Sequence, residues 1–201
     1  MKKQILTLAI VAGFACGAFA QGTVAFDNLN NTSVNPAAAT GGVIFKTVSG
    51  NPVFDNVSDY NLTLLGGSSA GTMSVVASIF GAAASGDNFG SGLFYASGNS
   101  FAVSGVALGG TGTFQIEVWL GSATSYAAAS AIAGTYVGIS SVFTSATGGL
   151  VVGNNPPTAP VEMDAMPSIV LNPVVVPEPT TLALAGLGGF GMLMALRRKQ
   201  A

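Results

Sequence analysis

The chain contains no histidine and a single cysteine, Cys16. Without imidazole it lacks the side chain best suited to proton transfer and metal ligation at neutral pH, and His-dependent triads are excluded. Cys16 sits in an apolar leader, so the chain beyond it has neither a thiol nucleophile nor a disulfide. Zinc would find only carboxylates there. Charge is scarce too, at 7% of residues. Between Gln21 and Val176 the only cation is Lys46, set against Asp27, Asp55, Asp59, Asp87, Glu117, Glu162 and Asp164. A surface so poor in cations cannot displace the counterions of DNA or RNA, so nucleic acid is not a partner. With 49% hydrophobic residues, however, the chain is too apolar for a disordered one.

What is present is glycine, 28 residues of it, with Ser, Thr, Ala and Asn filling the polar positions. Short apolar stretches stand between Gly- and Asn-rich turns. Strands are expected at Thr23–Asn28, Val43–Val48, Asn61–Leu65, Met73–Phe80, Leu93–Ala96, Phe101–Leu108 and Val137–Thr144. The clearest is Thr113–Leu120, where Phe114, Ile116, Val118 and Leu120 share one face and Gln115, Glu117 and Trp119 the other. One short helix is expected from Ser125 to Ala133, capped by Ser125 and ended by Gly134. The pattern predicts an all-β fold, an antiparallel, jelly-roll-like β-sandwich over residues 21–153. Residues 154–176 are rich in proline and read as a tether or a last edge strand, with Ser168–Leu171 as its strand-like part; an alternative keeps Ile169–Val176 as the last strand of the sandwich.

The two ends carry address signals. Lys2 and Lys3 precede an apolar stretch, Ile5–Phe14, and Ala18-Phe19-Ala20 gives the small-x-small pattern cut by signal peptidase. Residues 1–20 thus read as a signal peptide with Ala18 and Ala20 at the cleavage site, and the mature chain starts at Gln21. A lipoprotein signal at Cys16 is disfavoured by Phe14 in the middle of the preceding triplet. At the other end come Pro177-Glu178-Pro179, an uncharged apolar run from Thr180 to Leu196, and the basic cluster Arg197, Arg198 and Lys199. The prolines keep the tripeptide extended. The run covers about 25 Å as a helix at about 1.5 Å per residue, enough for a thin bilayer. The cations hold its end in the cytoplasm.

This order resembles the PEP-CTERM sorting signal of Gram-negative bacteria. The resemblance implies that Pro177, Glu178 and Pro179 are the motif recognised by an exosortase and that Arg197, Arg198 and Lys199 are stop-transfer charges. It also implies export, an inner-membrane-anchored precursor over 177–201, and delivery to the cell surface or an extracellular matrix rich in exopolysaccharide. The body is similar to a group of PEP-CTERM proteins of verrucomicrobial type, through Thr23–Asn28, Trp119, Ser125-Tyr126-Ala127-Ala128-Ala129, Gly138-Ile139-Ser140 and Phe143. That group implies a fold and no activity.

No catalytic, cofactor-binding or metal-binding residue is assigned, and the chain reads as non-enzymatic. Asp55 and Asp59 are the best candidates for a carboxylate pair, yet Asp and Asn are what turns of this kind select. Asp55, Asn56, Asp59 and Asn61 could offer oxygens to calcium but match no EF-hand spacing. Gly186, Gly188 and Gly191 satisfy a dinucleotide-binding pattern without the strand it requires, and small residues for helix packing explain them better. Asn30, Asn31, Asn56 and Asn61 begin N-glycosylation sequons. The alternative to a structural role is a carbohydrate-binding module, with Trp119 beside Glu117 and Tyr95, Tyr126 and Tyr136 as an aromatic platform. Against it stands a core position for Trp119.

Overall fold

The computed structural model describes residues 21–33, 35–54, 60–81, 88–90, 92–149, 156–175 and 187–188. Twelve strands and one short α-helix are described. They are β1 (Thr23–Val24), β2 (Ile44–Val48), β3 (Asn51–Phe54), β4 (Tyr60–Gly67), β5 (Ser74–Ile79), β6 (Asn88–Gly90), β7 (Leu93–Phe94) and β8 (Phe101–Ala102), then β9 (Thr111–Leu120), α1 (Tyr126–Ala129), β10 (Tyr136–Ile139), β11 (Phe143–Ala146) and β12 (Ile169–Pro173). One sheet dominates, in the order β3-β2-β12-β10-β9-β4-β5, with β11 also on β9; β1-β8 and β6-β7 form two-stranded ribbons.

β9 is the long central strand because its apolar residues alternate without interruption. Phe114, Ile116 and Val118 are fully buried, and across the ladder they lie beside the equally buried Leu64 and Leu62 of β4. Onto this face fold Val24, Phe26, Phe94, Val103, Val106, Met163 and Met166, all in one continuous core with Ile44, Ile169 and Leu171. Phe26 and Phe94 meet edge to face at 4.9 Å. The fold is mostly β as expected, with α1 in the expected helical segment and the Ser125 side chain accepting from the Ala128 N–H.

Four expectations are corrected. First, the sheet is not wholly antiparallel, since β12 runs parallel to β2 in the register Ile169↔Ile44 and Leu171↔Lys46. Second, β12 is no edge or tether. It lies between β2 and β10, with Ile169 and Leu171 buried, so residues beyond the proline-rich segment belong to the core. Third, Val137–Thr144 is two strands. Residues 140–142 face only 115–116 of β9, an extra residue that works as a bulge. Ser140 closes it by taking the Ile116 N–H on its side chain at 2.9 Å and donating its own N–H to the Ile116 carbonyl. The Phe101–Leu108 strand is also shorter than expected, giving way after Ala102 to turns.

Candidate processing site and its approach

The last described strand of the body is β12, which ends at Pro173. Tyr136 pairs with Pro173. Beyond the strand Val174 is still tied twice, its N–H donating to the Thr135 carbonyl at 2.7 Å and its carbonyl accepting the Gly134 N–H at 2.9 Å. Gly134 makes this possible with a positive φ of 78°, a conformation that costs glycine little. At Val175 the chain leaves the surface, 84% exposed. The Pro-Glu-Pro tripeptide therefore follows the anchored Val174 after only Val175 and Val176.

Residues 175–199 match the PEP-CTERM protein-sorting motif. No curated protein matches the chain, and no solved structure does. The PEP-CTERM motif marks an exported protein that is membrane-anchored before an exosortase processes it. Pro177, Glu178 and Pro179, the cluster Arg197, Arg198 and Lys199, and the signal peptidase residues Ala18 and Ala20 all lie outside the described residues. Among the described residues no helix is long and apolar enough to cross a membrane. The expected span 180–196 falls outside them except for Leu187 and Gly188.

The other candidate sites resolve differently. Trp119 is 1% exposed. Its indole Nε1 donates to the Ala123 carbonyl at 2.7 Å, and Phe80 meets its ring edge-on with centroids 6.0 Å apart. No ring face is open for a sugar to stack on. Tyr136, the second platform candidate, has the Lys46 ammonium 4.5 Å from its centroid. The platform thus lacks its central ring, while Tyr95, Tyr126 and Tyr136 are each half-buried.

Asn61, the one described member of the calcium candidate, is also spent. Its side-chain amide donates to the Gly121 carbonyl at 2.8 Å while its oxygen accepts the Gly81 N–H at 2.9 Å. Asp55, Asn56 and Asp59 lie outside the described residues, as does Asp87. The sequons at Asn31 and Asn61 start from residues 4% and 5% exposed, which closes them to modification in the folded body.

Two features went unread in the sequence. One is an open cleft of about 440 Å³ lined by Asn61, Phe80, Gly81, Gly121, Ser122, Ala123 and Thr124, where β4 begins and β5 and β9 end. The other is an acidic group around Asp27. Burial pushes the Asp27 carboxyl up, Asn99 pulls it back by hydrogen bonding, and Glu162 and Asp164 add repulsion. Asp27 is only 2% exposed. Around it Asn28 and Asn31 stitch loops together, the first accepting the Phe94 N–H at 2.7 Å and the second donating to the Gly42 carbonyl at 2.9 Å. Neighbouring asparagines in the sequence gave a turn signal; only the fold turns two of them inward.

Proposed function

We propose that this protein is a structural component of the cell envelope or extracellular matrix, without catalytic activity, delivered by exosortase processing and associated with exopolysaccharide. The observation that carries the proposal is the match at residues 175–199 following directly on a body strand. The body is presented as cargo, with its sorting element at the point of exit. The absence of histidine and the confinement of the only cysteine to the leader support a non-enzymatic role. The resemblance of the body to verrucomicrobial-type PEP-CTERM proteins rests on its sequence pattern alone, as does the placement in a polysaccharide matrix. A jelly-roll-like sandwich is the finer form of the fold in this proposal, supported by the single core between the main sheet and the β1–β8 side.

Intact-mass analysis of medium and membrane fractions from the native host tests the delivery. The expected mature form starts at Gln21 and ends within Pro177–Pro179. A chain that persists in the membrane with Thr180–Ala201 attached would reduce the motif to a plain anchor.

A further inference from the structure

The strand pairings place one set of residues at one end of the main sheet. β12 ends there at Pro173, opposite Tyr136 at the start of β10. β9 ends there at Leu120 opposite Tyr60, and β5 ends there, with Leu62 facing Ile79 and Phe80 following. The parallel pairing of β2 with β12 brings Val48 and the β2–β3 turn to the same end. Apolar side chains are exposed at this exit end. Phe80 is 53% exposed, Ile132 51%, Val48 46% and Val175 84%. The apolar cleft beside Phe80 opens here too. Lys46, the sole cation of the mature body, lies over Tyr136 at this end, an amphipathic pairing of the kind favoured at bilayer interfaces. The Asp27 and Asp164 group lies toward the other end, where the Asp164 carbonyl accepts the Gly41 N–H before β2 begins.

Length now decides what this end meets. Five residues, 175–179, separate Val174 from Thr180, the start of the apolar run, and the six steps span at most about 20 Å fully extended. The row of strand ends from β3 to β5 is about 29 Å wide, at about 4.8 Å per strand spacing. The tether is shorter than the row is wide, so it holds the exit end within about 20 Å of the bilayer.

We propose that, in the anchored precursor, this end of the sheet rests on the outer surface of the lipid bilayer, with Phe80, Ile132 and Val48 in the headgroup layer. The proposal rests on the membrane-anchored precursor described above. Its occupant is lipid because the anchor delivers lipid to this end before any other partner can reach it. Exposed apolar side chains that would otherwise invite association of the free body are covered until processing releases it.

The test uses the full chain carrying Cys16→Ser, reconstituted in vesicles of phosphatidylethanolamine and phosphatidylglycerol. Single Phe80→Cys, Ile132→Cys and Thr40→Cys variants carry an environment-sensitive fluorophore; all three positions are exposed, and Thr40 lies at the far end. Labels at 80 and 132 are expected to brighten about two-fold on leaving water for a layer that takes in apolar faces to about 5–10 Å, while the label at 40 stays unchanged. A chain that floats with the vesicles but keeps all three labels in water, or brightens all three alike, overturns the docking and leaves the anchor standing. A chain that does not float overturns the anchored precursor, and the docking with it.

Discussion

Asp27 and Glu117 bind their protons more tightly folded than unfolded, because burial raises both carboxyls above their ordinary values. A raised carboxyl contributes stability that is fully present below its unfolded pKa of about 4 and is lost as pH rises through the folded one. From these groups the protein is expected to lose thermal stability as pH climbs from about 4 toward neutrality. Asp27→Asn should decline less over the same range, since the amide has no proton to give up. Melts of both proteins in matched buffers check this, and equal slopes would remove Asp27 from the account. At this scale the sequence showed chemistry better than placement. Trp119 and Glu117 do alternate away from Phe114, Ile116 and Val118, yet Trp119 is buried and Glu117 only half-buried. Their difference comes from Phe80 and the 121–124 loop, partners far from the alternating pattern in one case and outside it in the other.

Among the elements, β9 was legible because a period of two over its whole length is a local signal. β12 was not. Five residues ending in proline look like an edge or a linker, and nothing local says that Ile169 will lie beside Ile44, far away in the chain. The β10–β11 bulge was hidden for the same reason, since Ser140 reads as an ordinary strand residue until its partner Ile116 is known. β12 also explains a glycine. A Cβ at Gly138 would lie 2.9 Å from Leu171 Cδ2 and from the Val170 carbonyl oxygen. Gly138→Ala is expected to cost about 1–3 kcal/mol from overpacking, and Leu171→Ala about 2–5 kcal/mol from the cavity it leaves. Removing the Leu171 side chain clears one of the two clashes. The double variant should therefore be destabilised by less than the sum, by about 0.5 kcal/mol or more, in urea unfolding. Strict additivity would mean that β10 and β12 do not share this contact.

For the whole molecule, the decisive geometry is that the last described strand ends at Pro173, just before the matched motif begins at 175. A processing enzyme that binds its substrate as an extended segment needs free backbone on the amino-terminal side of Pro177, and only Val175 and Val176 lie between it and the doubly bonded Val174. Deleting both valines would draw Pro177 against Tyr136 and Thr135. Processing then requires the Val174 hydrogen bonds to open first, at a net cost of about 0.5–1.5 kcal/mol for each bond. Two such bonds, about 1–3 kcal/mol together, slow processing by about five-fold to about 150-fold. A Gly-Ser spacer of the same length, placed in the deletion, should restore the native rate because it restores reach without the valine side chains. Pulse-chase conversion of precursor to mature form, in a host with the cognate exosortase, reads both. If the deletion is processed at the native rate, recognition uses the tripeptide and downstream residues alone, and the body can stay closed throughout. If the spacer fails to rescue, the two valines are themselves read by the enzyme, and the matched motif extends functionally to its first residue at 175.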